Sequence, residues 1–352
     1  MIRGGEPTFV IGVGSQRAGS TLLSVALDRA STVFVHPLKE LHYFDSVHGV
    51  RDFGFLKGRA ESLGQRHTPA RAGGMNRLLR ARRTSEPVQR TGRERRRDAI
   101  AVRTMARTLS LIEGCAVGGD LAAVPYREFF RPALRRNRVV CEISPEYMLL
   151  ADSGVRHMRE VTGPATRIIL QTRERVSRLL SAYVLREIGW GRASSAEDVR
   201  EEGLWRDLES GSQWWRSQVA LSDYAGTVTR FAAHFEHVYV CEMEELVTGS
   251  ERELADLADF LPARMDRDGF RSVLARRVNS FGERRFSRTL VKAVDRELSA
   301  ALIRHAATPV SRPAPDSQPA PDSQPAPDRQ PAPDSQPAAV EGGRRRMGEH
   351  AA

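Results

Sequence analysis

Long apolar runs are absent from these 352 residues; no stretch approaches the roughly 20 residues that a membrane span needs. Cysteine is scarce. Cys115, Cys141 and Cys241 lie far apart and are odd in number, which excludes a disulfide framework and a zinc-ligand pattern and points to a reducing compartment. Cys141 and Cys241 sit inside apolar strand-like runs, where a buried, inert thiol is expected. A secretion signal is missing as well. The first strand-like run begins at Thr8 and leaves no room for a basic, apolar and small-residue leader, so a cytoplasmic location is expected. Acidic residues are the minority charge, 44 against 54 Lys plus Arg, for a formal net charge of +10.

That excess is local. Gln65 to Thr108 holds 13 Arg against 3 acidic residues, which accounts for all of it, and the rest of the chain is close to neutral. The segment lacks the interleaved aromatic residues of a base-stacking surface, so nucleic acid is not the expected partner. Scattered Gly, Pro and Thr and few large apolar residues predict that 65–108 is an inserted, mobile loop with a short helix around Met75 to Arg83. Such a loop suits a solvated excursion, or a lid or docking surface for an acidic acceptor or a membrane face.

At the other end, the hexad PAPDSQ recurs four times from Pro313 with one Ser to Arg change. Proline at every second or third position removes amide donors and favours an extended chain with almost nothing to bury. Residues 309–352 are expected to be disordered, with a proline-binding partner as one use for the repeats. Residues 1–308 then form one domain.

Within that domain, strand-like runs at Thr8–Gly14, Arg138–Ser144, Arg167–Arg173 and His237–Met243 alternate with helical periodicity over Thr21–Arg29, Arg175–Glu187, Gln213–Phe235 and Glu251–Phe260. Short apolar strands between long helical segments predict an α/β fold, a mostly parallel central sheet covered by helices on both faces. Ligands on such sheets bind at the carboxyl ends of the strands. Both the turn after Gly14 and Arg173 fall there.

Three stretches carry chemistry. In "FVIGVGSQRAGSTLL", Phe9 to Leu23, a strand delivers a glycine turn to a helix start, as in phosphate-binding loops. Ser20 stands where an ATP-binding loop has Lys, and Arg17 supplies the fixed charge instead, in a fork suited to phosphate or sulfate. An ordinary strand-to-helix turn would show the same glycines. In "RIILQTRERVSRLLSAY", Arg167 to Tyr183, a strand ends at Arg173 and the following helix brings Ser181 two turns later, a pair that could grip a second phosphate. In "HPLKELHYFD", His36 to Asp45, extended alternation would put Glu40 and His42 on one face beside Lys39. A base and a cation together suit deprotonation of a hydroxyl and stabilisation of a leaving oxygen.

In this order the three pieces resemble the sulfotransferases that use 3′-phosphoadenosine 5′-phosphosulfate (PAPS), in their carbohydrate-type and bacterial forms. "CEISPEYML" (Cys141–Leu149) and "VYVCEMEELVTGSERELADLADFL" (Val238–Leu261) are similar too, so the resemblance spans about residues 8–285. It implies a P-loop-like three-layer fold. It also implies a 5′-phosphosulfate loop of Arg17, Ala18, Gly19, Ser20, Thr21 and Leu22, and a 3′-phosphate motif using Arg173 and Ser181. Glu40 would be the catalytic base, Lys39 its neighbouring cation and His42 the second choice of base, with no metal. Arg284 and Arg285 in "NSFGERRF" (Asn279–Phe286) would belong to the loop that closes over the nucleotide. The acceptor would be a small molecule, glycan or glycolipid.

Departures are present. Glu174-Arg175 follows Arg173 where the family often has Asn-Pro, and the basic insert 65–108 has no counterpart. Two other classes stay open on the sequence alone: a P-loop kinase-like phosphotransferase, against which Ser20 stands, and a polyanion-binding module built on the Arg-rich insert.

Overall fold

The computed structural model describes residues 6–54, 57–58, 92–275 and 285–307. The expected tail, 309–352, lies outside them, as do residues 65–91 of the insert and Arg284. Five parallel strands form one sheet in the order β2-β3-β1-β4-β5. They are β1 (Thr8–Gly14), β2 (Phe34–Val35), β3 (Val139–Ile143), β4 (Arg167–Thr172) and β5 (His237–Glu242). Four match the apolar runs to within a residue at each end. The fifth, β2, is two residues long and leaves no periodic signal.

Alternation along the strands builds two cores. Phe9, Ile11 and Val13 face one side, with Val140, Ile168 and Leu170 from the neighbouring strands. Val10, Cys141, Ile169 and Cys241 face the other. The second side is covered by α1 (Ser20–Ala30), α10 (Glu251–Phe260) and α11 (Arg267–Leu274), through Leu23, Leu27, Leu257 and Phe270. The first is covered by α2 (Tyr43–Val47), α3 (Gly92–Ala116), α4 (Asp152–Thr162) and α8 (Tyr224–Ala232), through Phe44, Ile112, Met158 and Phe231. This is the expected three-layer α/β arrangement. A helical lobe adds a third core, in which α5 (Arg175–Gly189), α6 (Glu202–Ser210), α7 (Gln213–Ala220) and α12 (Arg288–Ala307) meet around Leu179, Leu204, Trp215 and Leu290. All three cysteines are buried and free. No helix among the described residues is long and apolar enough to cross a membrane.

Two expectations need correction. Residues 92–108 are not loop; they form the larger part of α3, a helix of 25 residues. Ile100, Thr104, Met105, Thr108, Leu109 and Ile112 are buried at helical spacing, a stripe hidden in the sequence by the arginines between them. Two arginines of this helix act as clamps. Arg97 bonds Asp28 at 3.1 Å and the Ser31 and Val33 carbonyls, and Arg107 pairs with Glu128. Similarly, Gln213–Phe235 is two helices, α7 and α8, because Asp223 caps α8 by accepting from the Gly226 amide at 3.0 Å. The break at Leu221–Asp223 has a use at the site.

Candidate active site

β1 ends at Gly14, and the loop that follows is pinned from three sides. The Ser15 amide donates to the Gln171 carbonyl of β4 at 2.6 Å, and the Ser15 hydroxyl donates to the Leu221 carbonyl, in the break between α7 and α8, at 2.7 Å. Gln171 Nε2 donates to the Ala18 carbonyl at 3.2 Å. The tight turn holds Arg17 at φ 67° and Gly19 at φ 78°, the left-handed region. A Cβ at Gly19 would overlap the Met243 sulfur, so this position requires glycine on two counts. α1 then starts with no side-chain cap, and a helix N-terminus carries partial positive charge. Ala18 and Leu22 turn their side chains into the core, so only their backbones could meet a ligand. Ser20 is buried too, and Thr21 is partly exposed.

The loop meets the second motif directly. Arg17 Nε donates to Ser181 Oγ at 3.0 Å, and Arg173 Nη1 donates to the Arg17 carbonyl at 3.2 Å. Burial, with the Arg173 charge added, lowers the Arg17 pKa. At the turn after Arg173, Glu174 caps α5, its carboxylate accepting from the amides of Val176 and Ser177 at 2.8 and 2.7 Å.

The segment around Glu40 is not extended, contrary to expectation. Glu40 and His42 take φ of 60° and 52°, left-handed values rare outside glycine. Their side chains still share one side: His42 Nε2 lies 3.9 Å from Glu40 Oε2, while Lys39 pairs with the other Glu40 oxygen. His42 Nδ1 bonds the buried Asp45 carboxylate at 2.6 Å.

What enforces this strained path is "CEISPEYML". Four successive amides of the segment are held by it. Glu40 donates to the Ile143 carbonyl at 3.2 Å, Leu41 to the Glu142 carboxylate at 3.3 Å, His42 to Ser144 Oγ at 3.2 Å and Tyr43 to the Tyr147 hydroxyl at 3.0 Å. Glu142 is wholly enclosed; it accepts from the Tyr147 and Tyr126 hydroxyls at 2.6 and 3.0 Å and from Ser144 at 3.2 Å. Burial pushes its pKa up to about 7, against the pull of those hydroxyls.

Glu146, from the same motif, joins loop and segment. It accepts from Gln16 Nε2 at 3.2 Å and from Arg51 at 2.8 Å, and lies 4.0 Å from His42 Nδ1. Its burial would raise its pKa, but the charges of His42, Arg51 and Lys39 hold it below the ordinary carboxylate value. His42, Asp45 and Glu146 place three ligand atoms within 4.8 Å of one another, a grouping invisible in the sequence. The Arg51 guanidinium already supplies positive charge there, and His42 Nδ1 is already bonded to the Asp45 carboxylate. This arrangement suits a hydrogen-bonded dyad better than a metal.

Arg285 is exposed, and Arg284 is outside the described residues. Sequence reasoning missed Gln16, Asp45, Arg51, Glu142, Ser144, Glu146 and Tyr147. The only signal for the last four was the run CEISPEYML itself.

No protein-family model matches the chain, and no curated protein matches it. Solved structures do show likeness. The chain is similar to sulfotransferases. A sulfotransferase from Alicyclobacillus acidocaldarius is 17% identical with a TM-score of 0.46, over 86% of this chain and 94% of that one. The sulfotransferase domain of the Synechococcus PCC 7002 olefin synthase is 15% identical with a TM-score of 0.39, over 88% and 97%. The sulfotransferase domain from the curacin biosynthetic pathway is 15% identical with a TM-score of 0.41, over 83% and 98%. A likeness of this size assigns no donor, acceptor or residue role.

Proposed function

We propose that the chain transfers the sulfuryl group of PAPS to a hydroxyl or amine of a carbohydrate, glycolipid or natural-product acceptor. One observation carries the reading: Arg17 of the glycine loop and Ser181 of the second motif meet at 3.0 Å across 164 residues. Beside Arg17, Gln16 reaches Glu146, which adjoins His42 and so the base segment. Two guanidiniums, a hydroxyl and an uncapped helix start form a donor set for a ligand with two separate anionic groups. The residues therefore fit PAPS.

When bound, PAPS supplies a sulfuryl group whose S–O bond to phosphate breaks, the electron pair leaving with the phosphate, as the acceptor atom bonds to sulfur. Arg17 and the first amides of α1 hold the phosphosulfate end, and Arg173 with Ser181 holds the 3′-phosphate. Glu40 takes the acceptor proton, its reactive orientation set by the amides that CEISPEYML holds. Lys39 keeps positive charge beside it. His42, oriented by Asp45, stands next in line for the proton.

A thermal-shift titration with the desulfated product, 3′-phosphoadenosine 5′-phosphate (PAP), against ATP with Mg²⁺ tests the donor. Ligand at about 100 times Kd adds roughly 2.7 kcal/mol, a rise of several degrees. The expected result is a PAP shift that disappears in Arg17→Ala and Arg173→Ala. A shift with ATP–Mg²⁺ alone would overturn the assignment.

A further inference from the structure

Arg178 is the largest fully enclosed side chain described, and it sits directly behind the glycine loop. Its guanidinium donates to Gln218 Oε1 at 3.0 Å, to the Gln218 carbonyl at 2.9 Å and to Ser222 Oγ at 2.8 Å. Nη1 also lies 3.5 Å from the carbonyl oxygen of Gln16, inside the loop. Every one of these acceptors is neutral. No Asp or Glu among the described residues pairs with Arg178, and its Nε has no hydrogen-bond partner among them.

An arginine enclosed in a core normally comes with a carboxylate, because removing a charge from water is expensive unless an opposite charge follows it. The carbonyl end of α7 offers only the partial negative charge of a helix C-terminus. Burial lowers the Arg178 pKa to about 10; the Tyr224 hydroxyl acts in favour of the cation and Arg173 against it, and neither is a carboxylate. The protein has thus placed unmatched positive charge one peptide away from the turn where Arg17 and Arg173 converge.

We propose that Arg178 is a positioning residue for the ligand's charge, a buried cation whose counter-charge is the anion held by the Ser15–Thr21 loop. The inference rests on the reading of that loop as an anion site and adds a residue that does not touch the ligand. The geometry ties the two roles together, since the same guanidinium approaches the Gln16 carbonyl and fixes the α7 end that receives Ser15 through Leu221. A negative charge supplied from inside the protein should then compete with the ligand for Arg178.

Gln218→Glu makes that competition directly. It is nearly isosteric and puts a carboxylate where Gln218 Oε1 already bonds Arg178. Isothermal titration of the full-length chain with PAP, and separately with inorganic pyrophosphate, at low salt reads the effect. Gln218→Glu should melt higher without ligand and bind PAP roughly tenfold more weakly, whereas Arg178→Lys, which keeps the charge but loses the fork, should stay within about threefold of wild type. A structural cap would behave otherwise: Gln218→Glu would leave both affinities unchanged, which overturns the proposal. A tenfold loss in Arg178→Lys overturns it as well. Should pyrophosphate bind and weaken in Gln218→Glu while PAP fails to bind wild type, Arg178 keeps its role and the donor assignment falls. Binding of neither anion to wild type overturns both.

Discussion

Glu142 and Leu41 stand 101 residues apart, yet the Glu142 carboxylate accepts from the Leu41 amide at 3.3 Å. The bond fixes the backbone between Glu40 and His42, two residues held at left-handed φ that their side chains would not choose alone. Such conformations persist only where the surroundings over-determine them. Here the over-determination is four amides bonded in sequence to one motif, so the orientation of Glu40 is a property of CEISPEYML as much as of its own segment.

Glu142→Gln therefore should lower kcat by roughly 10–100-fold while PAP affinity stays near wild type, since a displacement of about 1 Å at a reacting group costs rate more than binding. Stability should change with pH in a defined sense. The native carboxyl, pushed up to about 7, holds its proton more tightly than the unfolded carboxyl near 4.5. Its contribution is full below about 4.5 and is lost as pH rises through about 7, by no more than roughly 3 kcal/mol. Urea unfolding of wild type and Glu142→Gln between pH 5 and 8 reads this directly. Parallel curves for the two would remove Glu142 as the source.

Glu40→Gln isolates the base. A single well-placed general base contributes about 10²–10⁴-fold, so kcat should fall by that factor with PAP binding intact. Equal losses of rate and PAP affinity would make Glu40 structural. His42→Asn provides the contrast: with Glu40 as the base, its loss should be smaller, because His42 lies behind Glu40 at 3.9 Å. A larger loss in His42→Asn would transfer the role to the His42–Asp45 pair.

The fold was largely legible because four strands are apolar runs of near-ideal length bounded by turns, and burial on both faces demands that pattern. The loop was legible for a similar reason; glycine at a left-handed turn leaves a mark in the letters. The support for Glu40 left much less. Nothing in the spacing of Glu142, Ser144 and Tyr147 says that their side chains capture amides from a segment a hundred residues earlier, since that register follows from β3 lying between β1 and β2. α3 was concealed differently. Its buried stripe is sound, but the arginines interleaved with it made the composition read as a solvated loop.

Arg173→Ala and Ser181→Ala test the two residues proposed for the 3′-phosphate end of the donor. Arg173→Ala should raise KM for PAPS roughly tenfold or more, as a charge-assisted contact to a phosphate is lost together with the bond to the Arg17 carbonyl. Ser181→Ala removes the acceptor of Arg17 Nε and should cost roughly threefold to tenfold, without touching a charge. Steady-state kinetics with PAPS as the varied substrate decides. An unchanged KM in Arg173→Ala would sever that residue from the 3′-phosphate.

Gly19 offers a test of the loop that needs no substrate. Gly19→Ala places a Cβ at φ 78° and against the Met243 sulfur, so it should destabilise the protein by roughly 2–4 kcal/mol, the sum of left-handed strain and overlap. Met243 opens α9 (Met243–Thr248), immediately after β5, so the overlap is a contact across the sheet rather than within the loop. Shortening Met243 should relieve the overlap and leave the strain. Gly19→Ala/Met243→Ala is accordingly expected to be more stable than the two single variants combined by roughly 1–2 kcal/mol, measured by denaturant unfolding as a double-mutant cycle. Strict additivity would mean that backbone conformation alone reserves this position for glycine, and that Met243 moves aside without cost.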